Sequence, residues 1–196
     1  KSAAGRAFSG IDDEFRVGYT TISERGTAAA RWLGNARFDA VQKTSWYGKL
    51  YGAATVGWTP LRGALSKAGR YYAGRLVTGN DDPVQYSCQK NFAILTTDGY
   101  WNKHDETATY GPKREDNVTD VGDQDGVLSP TDRPKYEAGH YSNTLADIAL
   151  YYNKTDLRTT NALGGLQDDG VTRSDVSPNI KDTQGNDLPD GHQHMT

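Results

Sequence analysis

An aspartate and a threonine stand where this sequence could present oxygen ligands to a hard cation. Asp98 follows the apolar stretch 91–97, and Thr59 immediately precedes Pro60 at the head of a segment with helical apolar spacing. In open α/β sheets ligands bind beyond the carboxyl ends of the strands, and a carboxylate with a hydroxyl suits Mg²⁺ or Ca²⁺. On spacing alone the plainer alternative is favoured, in which Asp98 and Gly99 form a turn and Thr59 caps a helix.

A second group of carboxylates lies in the polar stretch that follows. Aligned on a calcium-binding loop, Asp123, Asp125 and Asp132 fall at its third, fifth and twelfth positions. Val121 then falls at the first position, where its side chain cannot ligate, and no helix is predicted to follow. A solvated acidic loop is therefore the favoured interpretation, with a calcium loop as the alternative.

Catalytic patterns are absent from the sequence. It contains neither a Gly-x-Ser-x-Gly nor a His-Glu-x-x-His motif, and its four histidines all lie in polar segments. His192 and His194 could bind a transition metal if a third ligand folded beside them, although solvated histidines are more typical of such a segment. These observations favour a protein that is not an enzyme.

Two aromatic residues directly follow the candidate aspartate. Tyr100 and Trp101 could line a partner-binding rim, because Tyr and Trp suit such surfaces, or they could pack in the core. The residue types do not decide between these alternatives.

Composition narrows the classes of function. The chain has 196 residues, a net charge of -3 and no cluster of Lys and Arg, which argues against a nucleic-acid-binding domain. No apolar run is long enough to span a membrane. Cys88 is the single cysteine, so an internal disulfide is excluded and its partner, if it has one, is left open.

Hydrophobic periodicity predicts alternating helices and strands. Helices are predicted over residues 3–11, 46–53, from Thr59 onward and over 143–154 with Ser142 as cap; strands are predicted over 15–22 and 91–97, with a weaker strand or hairpin within 28–42. This order favours an α/β layered fold.

The predicted core is one domain with two polar insertions. Core segments cover about 1–102 and 140–158, and the stretches of about 103–139 and 159–191 are rich in Asp, Gly and Pro without apolar periodicity. Stretches of this length and composition are typically functional or disordered loops.

Several blocks of the sequence resemble a known family. Residues 58–65, Trp-Thr-Pro-Leu-Arg-Gly-Ala-Leu, and residues 95–99, Leu-Thr-Thr-Asp-Gly, resemble the segments of von Willebrand A domains that supply the threonine and the later aspartate of a metal ion-dependent adhesion site. Residues 87–102 more narrowly resemble the type IV pilus tip adhesins of the PilC/PilY type. Further blocks that do so, in the family's order, are 16–21, 142–152, 154–158 and 194–196.

The resemblance implies a fold and a metal site. The fold would be an incomplete von Willebrand A-like, doubly wound open sheet with long irregular insertions, spanning residues 1–196. Thr59 and Asp98 would bind a magnesium or calcium ion in the complete domain. The family's first ligand motif, Asp-x-Ser-x-Ser, does not occur near Lys1, so the chain is expected to be a fragment whose site is unoccupied.

The resemblance also implies a function. It predicts a non-enzymatic module for adhesion, pilus biogenesis and twitching motility, exported through the periplasm to the cell surface or the pilus tip. The expected partners are minor pilins, a host surface or an abiotic surface. The alternatives are a secreted metal-dependent enzyme and a structural scaffold within the pilus tip.

Overall fold

The computed structural model describes residues 1–54, 57–76, 82–86, 89–102, 106, 110–124, 141–158 and 193–196. Within these ranges the elements are α1 (Ser2–Ser9), β1 (Arg16–Thr20), β2 (Trp32–Arg37), α2 (Ala40–Gly52), α3 (Leu61–Tyr72) and α4 (Leu145–Lys154). The predicted helices and the strand within 15–22 are thereby confirmed, with boundaries that differ by a few residues.

The strands β1 and β2 pair as an antiparallel hairpin with an irregularity between Val17 and Tyr19. The predicted strand or hairpin within 28–42 therefore ends early, and its last residues begin α2. Asp39 causes this switch, because its carboxylate accepts the backbone N–H groups of Val41 and Gln42 at 3.0 and 2.9 Å. This is the side-chain cap that satisfies the unpaired donors of a first helical turn.

One apolar cluster holds α1 and α2 against the hairpin. Phe38, Trp46 and Leu50 are its buried members. The ring of Phe8 from α1 stacks on Trp46 with 4.5 Å between the ring centroids. Burial of these aromatic rings explains why the short α1 is held at this face.

A second apolar cluster lies between α3 and α4. Its buried members include Tyr72, Ile148 and Tyr152. The helices approach so closely at Gly69 that a Cβ placed there would lie 2.2 Å from the Tyr152 ring. The cap of α4 is Thr144, which forms a capping box with the acidic residue at the third helical position, and not the predicted Ser142.

The opposite side of the hairpin packs on α3 through polar contacts. The buried Lys67 donates from Nζ to Thr20 Oγ1 at 3.0 Å and to the Glu24 carbonyl at 2.7 Å, and it lies 4.6 Å from the Trp32 ring centroid. Tyr71 accepts the backbone N–H of Asn35 at 2.7 Å. The hairpin is therefore a middle layer with α1 and α2 on one side and α3 on the other.

The predicted strand over 91–97 is wrong for the described residues. Asn91 forms an isolated parallel bridge with Met195, and residues 92–97 belong to no helix or strand. Ala93 packs on the second cluster, but Ile94 is 77% exposed. An apolar run becomes a strand only when neighbouring backbone pairs along it, and the described backbone pairing of this run is limited to the bonds that Asn91 and Ala93 form with Thr196.

The von Willebrand A-like sheet stays a prediction. The described residues contain one two-stranded sheet and two isolated bridges, of which one is parallel. None of the described helices is long and apolar enough to cross a membrane.

We expect Gly69→Ala to destabilise the fold by about 1–3 kcal/mol, because the added methyl group would collide with the buried Tyr152 ring. Gly48→Ala is the matched control. A Cβ at Gly48 in α2 meets nothing within 4 Å, so this change should stabilise the helix by about 0.5–1 kcal/mol. Urea denaturation curves of both variants measure the difference. A Gly69→Ala protein as stable as the parent would contradict the close approach.

Stability should rise between pH 8 and about pH 10 because of Lys67. Burial lowers the pKa of this ammonium group to about 8, against a partial rise from the nearby Glu24 carboxylate. In this pH window the unfolded chain binds a proton that the folded chain has released, so the free energy of unfolding increases, by on the order of 2 kcal/mol. Above this window the effect reverses, because burial raises the pKa of Tyr72 and Tyr152.

Lys67→Met tests this assignment. The variant should show no rise in the denaturation midpoint between pH 8 and pH 10, whereas the parent protein should. Equal pH profiles of the two proteins would exclude Lys67 as the titrating group.

Candidate functional site

The segments that carry Thr59 and Asp98 are joined by a reciprocal pair of hydrogen bonds. The backbone N–H of Thr59 donates to Oδ1 of Asn102 at 3.1 Å, and the backbone N–H of Asn102 donates to the carbonyl of Thr59 at 3.0 Å. The structure therefore brings the residue before α3 against the end of the 98–102 loop. The sequence predicted that these two segments meet, but not that Asn102 joins them.

Asp98 lies in a tight exposed turn. Its Oδ1 accepts the backbone N–H of Tyr100 and the hydroxyl of Thr97, both at a long 3.4 Å. Gly99 has a φ of 103°, which favours glycine. The turn alternative for Asp98 is therefore correct, and its position after a buried strand is not. These weak contacts leave most of the carboxylate open to solvent and to a partner.

Thr59 does not cap α3. The cap position is occupied by Pro60, which forms no side-chain cap hydrogen bond. The first turn of the helix is instead capped by Glu106, a residue 44 positions away from Arg62. Oε1 of Glu106 accepts the backbone N–H groups of Arg62 and Gly63 at 2.8 and 3.2 Å. A carboxylate is well suited to this position, since a helix N-terminus carries a partial positive charge.

Arg62 connects this cap to the loop. Its Nε donates to Oε2 of Glu106, whose side chain is fully buried. A second guanidinium nitrogen donates to the backbone carbonyl of Asn143 at 3.0 Å. The guanidinium carbon also lies 4.9 Å from the ring centroid of Trp101, within the range of a cation–π interaction. One side chain thus contacts three residues that lie about 40 to 80 positions away from it in the sequence, namely Trp101, Glu106 and Asn143.

Exposed aromatic rings surround the joined segments. Tyr100 is 86% exposed, Trp101 is 41% exposed, and Trp58 is also exposed. Core packing is therefore not the role of Tyr100. We call Asp98, Tyr100 and Trp101 together the loop surface.

The described residues offer too few ligands for a divalent cation. Thr59 and Asp98 supply two oxygen donors, whereas Ca²⁺ takes about 6–8 and Mg²⁺ about 6. No group of three His, Cys, Asp or Glu side chains comes together in the part of the chain that the structure describes. Thr59 and Asp98 would therefore be two ligands of a site that needs others, and the cation stays a prediction.

The remaining candidate ligands are dispersed or lie outside the described residues. Asp123 is partly buried, while Asp125, Asp132 and His192 lie outside the described ranges, as does Cys88. His194 is buried at 6% exposure, which corrects the expectation that it is solvated. It is held there because the adjoining bridge places its carbonyl 3.1 Å from Nδ2 of Asn91.

Comparison with known proteins decides the family. The chain is 30% identical over 164 residues to the type IV pilus biogenesis factor PilY1 of Pseudomonas aeruginosa strain UCBPP-PA14, a match that covers 81% of the chain. PilY1 of strain PAK is 28% identical over 173 residues, also 81% of the chain. The chain belongs to the PilY1-type family. The predicted resemblance is confirmed to that extent.

The match covers a small part of the relatives. The chain spans 14% of the length of each of these two PilY1 proteins. No family model matches the sequence, and no solved structure matches it.

The sequence patterns did not indicate three residues of this site, namely Arg62, Asn102 and Glu106. Glu106 lies in a polar stretch and follows no apolar periodicity. Asn102 lies within a block that resembles the family, but its type gave no sign of a contact with Thr59. Only the fold brings these residues together.

We expect Asn102→Ala to loosen the junction between the two segments. The change removes the acceptor of the Thr59 N–H and leaves this partly buried donor without its side-chain partner, which should cost about 1–2 kcal/mol. Hydrogen exchange at the Thr59 amide should become roughly tenfold faster, since a factor of ten corresponds to about 1.4 kcal/mol. Thr96→Ala, at an exposed position, is the control. Unchanged exchange at Thr59 in Asn102→Ala would contradict the contact.

Proposed function

We propose that this chain is a non-enzymatic module of a type IV pilus biogenesis factor and that it binds a pilus component through the loop surface. The observation that carries the proposal is the 30% identity to PilY1 over 81% of the chain. The printed name of that relative is a type IV pilus biogenesis factor. As a pilus factor the protein would act at the cell surface or pilus tip after export, with minor pilins or an attachment surface as partners.

The form of the loop surface supports a binding role. Tyr and Trp give large contact areas with few rotatable bonds, and such residues often contribute most of the energy of an interface. Here Tyr100 is almost fully exposed and Trp101 is partly exposed. The adjoining Asn102 fixes the end of the loop to Thr59, so a partner would find the rings already ordered.

A cation at Thr59 and Asp98 is a separate part of the proposal. It would need ligands beyond those that the described residues supply. In a protein that contains such ligands, Asp98 would be a direct carboxylate ligand, and its removal would weaken cation affinity.

Tyr100→Ala in the full-length protein should impair pilus function. We expect fewer surface pili and reduced twitching motility in a type IV-piliated bacterium that lacks its own PilY1 and carries the variant, because truncating an interface aromatic typically weakens binding by roughly fivefold or more. Trp101→Ala should act in the same direction. Tyr141→Ala, another exposed tyrosine, is the matched control, and immunoblots normalise for protein level.

Asp98→Ala is the third loop-surface variant, and it should also reduce piliation and twitching motility. Normal piliation and motility in all three loop-surface variants would instead favour the scaffold alternative, in which the long polar insertions contact neighbouring subunits of the pilus tip. Calcium titration of the same full-length Asp98→Ala protein tests the cation: affinity equal to that of the parent would exclude Asp98 as a ligand. If the protein is instead a secreted metal-dependent enzyme, the Asp98→Ala variant should lose a catalytic activity in addition to piliation.

A further inference from the structure

We infer that Arg62 is the positioning residue of the loop surface and that its guanidinium fixes this loop to Glu106 and to the Asn143 carbonyl without a metal ion. The inference rests on the proposed function in one respect, which is that the loop surface binds a partner. The organisation of the loop can be measured whether or not that partner is found.

The Arg62 guanidinium contacts three residues that are distant from it in the sequence. Its guanidinium donates to Glu106 and to the carbonyl of Asn143, and it stacks near Trp101 at 4.9 Å. A planar guanidinium with five N–H donors can serve a carboxylate, a carbonyl and an aromatic face at once. The point charge of a lysine ammonium cannot reproduce that geometry.

The buried Glu106 carboxylate has its hydrogen-bond partners within the protein. Its side chain is fully buried, and both of its oxygens already accept hydrogen bonds from α3 and from Arg62. A buried carboxylate without such partners would be strongly disfavoured. Glu106 is therefore satisfied internally and is not offered to a metal.

The positively charged Arg62 guanidinium belongs to the first turn of α3. Arg62 is the second residue of α3 and lies three positions after Thr59. Its side chain is 19% exposed, so solvent screens it incompletely. This charge is paired with the Glu106 carboxylate, and no group of three His, Cys, Asp or Glu side chains comes together within the described ranges, so the described contacts that hold the loop are contacts between protein groups.

These steps predict a loop surface whose order does not depend on metal. In the full-length protein, EDTA should change hydrogen exchange in peptides covering 98–102 by less than about twofold. Arg62→Met should speed it by roughly tenfold, which is about 1.4 kcal/mol of opening free energy. Arg62→Lys keeps the charge but loses the planar fork, and should give an intermediate result.

Two internal references keep the test decisive. Arg37→Met removes an arginine that pairs with Asp13 at the exposed end of the hairpin, and it should leave the 98–102 peptides unchanged. Exchange within α4 reports global unfolding and should also be unchanged in Arg62→Met. If Arg62→Met opens α4 as well, Glu106→Gln provides a milder variant, because its amide oxygen can still accept from α3.

The outcomes separate this inference from the proposed function. It is overturned if EDTA loosens the 98–102 peptides as much as Arg62→Met does, or if both Arg62→Met and Glu106→Gln leave them protected. If the exchange results are as expected but loop-surface variants are normally piliated, the positioning role stands and the proposed function fails.

Discussion

The burial of α3 is the constraint on which the rest of this structure depends. The helix is enclosed by the hairpin on one side and by α4 on another, and even its polar residues Ser66, Lys67 and Arg70 are buried. A helix can be enclosed in this way only if its polar groups find partners inside the protein. Gly69 permits the close approach to α4, and the end of β1 and the loop after it each provide one acceptor for Lys67.

The same constraint produces the candidate site. The first turn of α3 needs acceptors for its free N–H groups, and Pro60 has no side chain that could supply them. Glu106 meets that need from a distant part of the chain, and its charge in turn requires Arg62. The loop with Tyr100 and Trp101 is thus positioned as a consequence of capping a buried helix.

The two segments that the family resemblance assigns to a metal site are held together here by protein contacts. The threonine and aspartate segments do meet, as the resemblance implies, but they meet through Asn102. The positive charge beside them belongs to an arginine. A binding surface needs ordered side chains, and a network of protein groups can order them as well as an ion can.

The sequence by itself determined the local elements and the family. Helices with continuous apolar spacing, such as α3 and α4, and the β-branched strand β1 were predictable, because their patterns follow from local geometry and from burial of one face. Only the tertiary structure decided whether residues 91–97 form a strand and which groups Glu106 contacts. Pairing of an extended segment and capping across 44 residues depend on which groups the fold places nearby, and no local pattern of residue types encodes that.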